Sequence, residues 1–393
     1  MSEIIGVMFK LLRSVFNGNE ELTETDKKTV KENLKPLFMI AKKHDVAHLV
    51  SYAVLKNDLI DKENDAEIYA NYKQEQILAV YRYERINYAL NEICTALEQA
   101  EIEFIPLKGS VILDYYPEPW MRTSCDIDIL VHESDAVKAM DLLCDKYNYK
   151  RGETSTTHDY SLHSPSGAHL ELHYTLNQDG SLPDTDKLLD FVWDYTETEK
   201  NCKYKKKLIS EMFLFYHIAH MAKHFINGGC GIRPFVDLKL LFEKMPFDKE
   251  KFQNMLKEGS LTTFYEVVLS LSEVWFDKKP HTGVTKQTEY FILTGGVYGT
   301  VQNSAAVKAG KGESKRTTLF KLIFLNRKSL EVIYPNLKKH PILLPFYQVK
   351  RWFRVFKKDK REKVKKISKA RNAVSNDQAL STADLLNNLG LKN

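Results

Sequence analysis

The chain has 393 residues, 43% of them hydrophobic and 11% aromatic. That is enough for two or three compact domains of about 100–200 residues each, and too apolar for general disorder. The net charge of +5 conceals an asymmetry: between Lys350 and Arg371 twelve Lys or Arg residues face only Asp359 and Glu362, a local balance of +10, while residues 1–349 sum to −4.

The five cysteines, Cys94, Cys125, Cys144, Cys202 and Cys230, are odd in number and include no C-x-x-C pair. This argues against a disulfide framework or a zinc ribbon and for reduced thiols. At the N-terminus the apolar run from Ile4 to Phe9, followed by Lys10 and Arg13 without a small-residue cleavage site, predicts a short amphipathic helix and not a signal peptide. No stretch reaches the roughly 18–20 apolar residues of a membrane span. The expected location is the cytoplasm.

Residues 1–100 read as a helical region. Apolar positions recur at three- and four-residue spacing through Leu34, Leu37, Phe38 and Ala41. The run from Ile68 to Leu97 contains neither Gly nor Pro, as a long helix requires. The period then changes. Ile102–Leu107 reads as a short strand, closed by Lys108-Gly109-Ser110 and a short helical segment ending at Pro117. Asp126–Val131 reads as a second strand, and Ser134 as the N-cap of a helix over Asp135–Tyr147. Asp159–His163 and His169–Leu176 alternate polar and apolar residues about a Pro165-Ser166-Gly167 turn. Residues 101–180 thus form a small α/β unit. From Asp186 to about residue 275 the pattern is helical, with Glu211–Phe225 the strongest part; together, residues 181–345 make a helical domain. Residues 301–317 are polar and Gly-containing and read as a loop, helical character returns at Thr318–Ile333, and Tyr334-Pro335 is a break. The tail, 346–393, is dominated by a basic segment over 347–371 that reads as one long helix.

In Asp126-Ile127-Asp128-Ile129-Leu130-Val131 the two carboxylates share one face of a strand, roughly 7 Å apart, and Ile127, Ile129 and Val131 point into the core. Like charges so placed call for cations, and a pair of Mg²⁺ ions about 3.5–4 Å apart is the usual answer in phosphoryl and nucleotidyl transfer. An isolated D-x-D favours a solvated strand edge; its neighbours shift the balance. At Lys108-Gly109-Ser110, glycine lets backbone approach a phosphate, Ser110 and the helix start supply donors, and Lys108 adds a point charge. In His169-Leu170-Glu171-Leu172-His173 the polar residues share one face. Beside the Asp126 strand, Glu171 becomes a third carboxylate able to bind metal and help deprotonate a hydroxyl. Arg122, four residues before Asp126, suits a triphosphate or a surface position.

The stretches LKGSVILDYYPEPWMRTSCDIDILV and HDYSLHSPSGAHLELHYTL resemble the uncharacterised nucleotidyltransferase family of bacterial proteins, within the polymerase-β-like superfamily. The likeness continues through Glu211–His220, Arg233 and Asp237 to Gly296-Val297-Tyr298-Gly299, and spans most of residues 30–350. It implies an α+β fold: a small mixed-sheet nucleotidyltransferase core flanked by N- and C-terminal helical regions, with metal ligands Asp126, Asp128 and Glu171. Lys directly before the Gly departs from the wider superfamily, but this family shares it. The family's substrates are not settled.

His217, His220 and His224 fall within about 60° on a helix. They suit a metal site, a nucleotide- or acceptor-lining face that could include His169, His173 and Asp237, or plain packing. Asn227-Gly228-Gly229-Cys230-Gly231 follows a helix and not a strand, so it reads as a helix stop. The basic segment interleaves Phe346, Tyr347, Trp352, Phe353 and Phe356 with its cations. It suits an anionic membrane surface, in which case the protein is peripheral to the inner membrane, or nucleic-acid phosphates, or a solvated helix face.

The expected activity is Mg²⁺-dependent transfer of an NMP group from ATP or another NTP to an acceptor hydroxyl, with release of pyrophosphate. The acceptor is a sugar, small molecule, peptide or protein. The alternatives are a turnover-deficient nucleotide-binding or scaffolding module docking through its basic tail, and an RNA-directed enzyme or toxin.

Overall fold

The computed structural model describes residues 2–16, 20–152, 158–177, 180–296, 299–327, 330–331, 334, 336–355 and 358–391. Five helices open the chain: α1 (Ser2–Phe16), α2 (Glu24–Glu32), α3 (Leu34–Lys43), α4 (Ala47–Lys56) and the 34-residue α5 (Ala66–Gln99). The capping box of α2 pairs Thr23 with Asp26, as such termini require.

A five-stranded sheet follows, built from β1 (Phe104–Pro106), β2 (Asp126–Val131), β3 (Lys150–Arg151), β4 (Asp159–His163) and β5 (His169–His173), in the order β1-β2-β5-β4-β3. Only β2 and β5 run parallel; every other pair is antiparallel. The short α6 (Gly109–Ile112) and the helix α7 (Ala136–Tyr147) connect the strands. Helix α7 starts at Ala136 with Asp135 at the cap position and no side-chain cap, so Ser134 does not serve as N-cap. The turn Asp135 N–His132 O, 2.9 Å, sets that start instead.

Alternation divides the sheet. Ile127, Ile129, Val131, Leu170 and Leu172 join a core with the second half of α5 and with α7. Asp126 and Asp128 face the other way, as does Leu130, which belongs to the larger helical core. That core unites α1–α4 with α8 (Pro183–Leu189), α9 (Ser210–Ile226), α10 (Arg233–Lys244), α11 (Lys249–Glu258), α12 (Thr262–Asp277) and α13 (Gly283–Gly295).

The region after Asp186 is not helical throughout. A hairpin of β6 (Thr196–Thr198) and β7 (Lys206–Leu208) interrupts it and docks on β1 through Phe104 N–Tyr204 O, 3.1 Å. Helix α9 ends where expected, at Gly228 and Gly229, whose φ of +125° and +112° only glycine adopts freely. Residues 301–317 are not a loop. They contain α14 (Val301–Gly310) and the start of α15 (Lys315–Ile323), capped by Thr300 and Ser314 hydroxyls. Packing overrides the weak local propensity here: a Cβ on Gly310 would lie 3.0 Å from Ala379 O and Ala383 N of the C-terminal helix Asn376–Asn388. Helix α15 stops at Ile323, and helical backbone recurs at Arg327, Leu330 and Glu331 of the expected Thr318–Ile333 stretch; Ile333, Pro335 of the expected break, and Val297 and Tyr298 lie outside the described residues. The basic segment forms two helices, Leu344–Val355 and Lys358–Ala373, with Phe356 and Lys357 outside the described residues.

Candidate active site

The site grows from the register of β2 and β5. Asp126 lies opposite His169, and Asp128 opposite Glu171. Cross-strand neighbours in a sheet sit about 5 Å apart, so three carboxylates converge. Ligand atoms of Asp126, His169 and Glu171 lie within 4.8 Å of one another, and so do those of Asp128, Glu171 and His173. Glu171 is common to both groups.

Asp128 is 2% exposed. A buried carboxylate is costly unless paired and hydrogen-bonded, and Asp128 has both kinds of partner. Its Oδ1 accepts from Lys108 Nζ at 2.7 Å and bonds His173 Nε2 at 2.8 Å. Burial opposes the charge, but Lys108 and His173 outweigh it and hold the carboxyl well below the usual carboxylate range. Burial likewise opposes the Lys108 ammonium, and Asp128 keeps it above the ordinary lysine range. Lys108 occupies the corner between β1 and α6 with φ +46°, a region that costs a non-glycine residue about 1–3 kcal/mol. The Asp128 pair offsets that strain.

Glu171 has the opposite environment. Half-buried and facing Asp128 and Asp126, its carboxyl is pushed up to about 8, first by burial and then by the Asp128 charge. Asp126 accepts at Oδ1 from Ser124 Oγ, 3.0 Å away. A Cβ on Gly109 would stand 3.2 Å from the same Ser124 Oγ, so glycine leaves room for the side chain that steadies Asp126. Ser110 turns its N–H to Leu107 O at 3.2 Å and does not line the cavity beside the carboxylates.

Helix α9 forms the opposite wall. His217, His220 and His224 line a cavity of about 220 Å³ with Asp126, Asp128, Glu171, Gly109 and Arg122. A neighbouring space of about 360 Å³ shares Lys108, Glu171, His220 and His224 and adds Tyr216 and Lys223. Larger cavities of about 540 and 1020 Å³ elsewhere contain none of the three carboxylates. Nε2 of His220 lies 3.0 Å from Nε2 of His224, and His217 Nε2 bonds Pro234 O at 3.1 Å. Burial pushes all three imidazoles down, His224 to about 4, so these rings are neutral at pH 7.

Arg122 and Asp237, singled out separately in the sequence, are partners. Arg122 Nε donates to Asp237 Oδ1 at 2.7 Å, and the Tyr116 hydroxyl donates to the same oxygen at 2.7 Å. Arg233 binds Asp45 and donates to Thr123 O. The two arginines clamp the segment that leads into β2. Ser124, Tyr116, Tyr216, Asp45 and Lys223 escaped the sequence reading. Only Ser124, a hydroxyl two residues before Asp126, carries a local signal.

As metal donors the carboxylates fit best. Their oxygen atoms are ligands of the kind a hard cation such as Mg²⁺ prefers, while His169 Nε2 is engaged by Ser161 Oγ at 2.8 Å and His173 Nε2 by Asp128.

A sequence model of a family described as "Uncharacterised nucleotidyltransferase" matches residues 31–277, well over half of the chain. The chain belongs to this family. The match takes in α3–α5, the whole sheet with its three carboxylates, and α9–α12. No curated protein and no solved structure matches the chain.

Proposed function

We propose that this protein transfers a nucleoside monophosphate from ATP or another NTP to an acceptor hydroxyl. The observation that carries this reading is the parallel β2–β5 register, which sets Glu171 opposite Asp128 and brings its ligand atoms within 4.8 Å of those of Asp126 in one group and of Asp128 in another. Asp126, Asp128 and Glu171 would hold two Mg²⁺ ions, which supply charge stabilisation for the α-phosphoryl group and the leaving pyrophosphate.

The chain's own residues do the rest. Lys108 keeps Asp128 ionised in a buried position. Gly109 lines the cavity at the β1–α6 corner, where a glycine backbone suits a phosphate, with Ser110 next in the chain. Glu171, beside both aspartates, helps deprotonate the acceptor hydroxyl. The acceptor oxygen then bonds to the α-phosphorus, the bond to the β-phosphate oxygen breaks, and pyrophosphate departs. Arg122, tied to Asp237, holds the rim of the cavity in shape. In this reading residues 101–180 are the transfer core, and the helical region 181–345 supplies the acceptor wall through α9. The neutral imidazoles of His217 and His220 offer hydrogen bonds to an uncharged acceptor group or nucleobase.

Calorimetric titration of each NTP with and without Mg²⁺, followed by pyrophosphate release over a panel of sugar, peptide and small-molecule acceptors, tests the proposal. Mg²⁺-dependent NTP binding that the double variant Asp126→Ala/Asp128→Ala loses is the expected result. Equal turnover by wild type and double variant would remove the site from these residues.

A further inference from the structure

We propose that this protein docks peripherally on an anionic lipid bilayer through the helix Leu344–Val355. Phe346, Val349 and Phe353 recur at i, i+3 and i+7 and so share one face of that helix. The face is bare: Phe346 is 60% and Phe353 73% exposed, and Ile342, just before the helix, is 87% exposed. The opposite face is anchored. Tyr347 stacks on Tyr334 with ring centroids 4.6 Å apart, in a small core with Leu330 and Leu337. The helix is thus held by one side and presents an apolar ridge on the other, the reverse of an ordinary surface helix.

The end of helix α15 packs against the anchored side of this helix, where Gln348 Nε2 also donates to Leu325 O. Trp352 Nε1 and Arg351 Nη1 both donate to Ile323 O at 2.8 Å, and Trp352 packs edge-on to Phe324 at 5.4 Å. The exposed Ile323 and Phe324 therefore lie beside the same helix. An exposed apolar ridge such as that of Phe346, Val349 and Phe353 marks an interaction site.

Charge decides what covers it. The ridge adjoins exposed Lys350, and the next helix carries exposed Lys365, Lys366 and Lys369 within a segment whose local balance is +10. A second copy of the chain would bring an equal positive charge against it. Aliphatic Ile342 and Val349 offer no π-face to nucleic-acid bases. Hydrocarbon below anionic headgroups satisfies both halves of the surface. Among the described residues no helix is long and apolar enough to cross a membrane, so the contact lies on the bilayer plane. The surface shares no residue with the cavity beside the carboxylates, and the inference is independent of the transfer reaction.

Co-sedimentation of the full chain with vesicles tests it. Pelleting with phosphatidylcholine/phosphatidylglycerol vesicles is expected, weaker in high salt and weaker still with pure phosphatidylcholine. Phe346→Glu/Phe353→Glu should lower the affinity at least about tenfold, whereas Leu380→Glu, at a side chain 64% exposed on the C-terminal helix, should leave it unchanged. Circular dichroism and gel filtration check that both variants fold. No pelleting by wild type, equal pelleting by the Phe346/Phe353 variant, RNA binding in place of vesicle binding, or a dimer that this variant dissolves would each overturn the proposal.

Discussion

Lys108 Nζ stands 2.7 Å from Asp128 Oδ1, and each residue supplies what the other lacks. Asp128 is almost fully buried and needs a cation; Lys108 sits at a positive φ that its pairing must offset. Removing one member of a buried pair costs about 3–5 kcal/mol. Lys108→Ala is therefore expected to lower unfolding free energy by about that amount in urea titrations. Lys108→Gly should cost about 1 kcal/mol less, because glycine adopts the corner without strain. Adding Asp128→Asn to Lys108→Ala should recover most of the loss, since no buried charge is left alone.

Asp126 and Glu171 are more exposed and their removal tests chemistry over folding. Asp126→Ala or Glu171→Ala should reduce Mg²⁺-dependent nucleotidyl transfer by about a thousandfold, as expected when several kcal/mol of charge stabilisation are lost. Thermal midpoints should move by only a few degrees. A Glu171→Ala enzyme with wild-type turnover would exclude Glu171 from the site.

The raised carboxyl of Glu171 has a stability consequence. Its folded value of about 8 lies above the ordinary 4.5, so between those limits the native state binds more protons than the unfolded chain. Stability in EDTA should therefore fall as pH rises from about 5 to 8, by up to a few kcal/mol. Glu171→Gln should flatten this slope. Mg²⁺ competes with the same proton, so its affinity in wild type should increase over the same interval.

At the acid end the histidines act with the opposite sign. His44 is fully buried, and burial, aided by Lys43, pushes it down to about 4. Below about pH 6.5 the unfolded chain takes up the proton first, and stability is lost as pH falls towards 4, by roughly 3 kcal/mol for this residue. A His44→Gln variant, compared by thermal unfolding at pH 7 and pH 4.5, should show the smaller drop between the two.

How much of this was legible beforehand depended on range. The strand Asp126–Val131, its two-faced alternation, the β4–β5 hairpin and the long α5 are properties of period and turn chemistry within some ten to thirty residues, and all follow from sequence. Residues 301–317 misled because small and polar residues have weak preferences of their own; burial of Ala305 and Val307 and the close approach at Gly310 make them helical. The β6–β7 hairpin was hidden for a similar reason, its three-residue strands being stabilised by docking on β1.

The chain by itself determined that Asp126 and Asp128 share a face, that Glu171 is flanked by histidines on another polar face, and that Lys108 precedes the glycine. It did not determine that the two faces are one. That follows from the parallel pairing of β2 with β5, strands 43 residues apart at Asp128 and Glu171, which only closure of the intervening chain can register. The same holds for partners: Arg122 finds Asp237 across 115 residues, and Asp128 finds His173 across 45. Local periodicity encodes which way a side chain points; whom it meets is decided by how the layers pack.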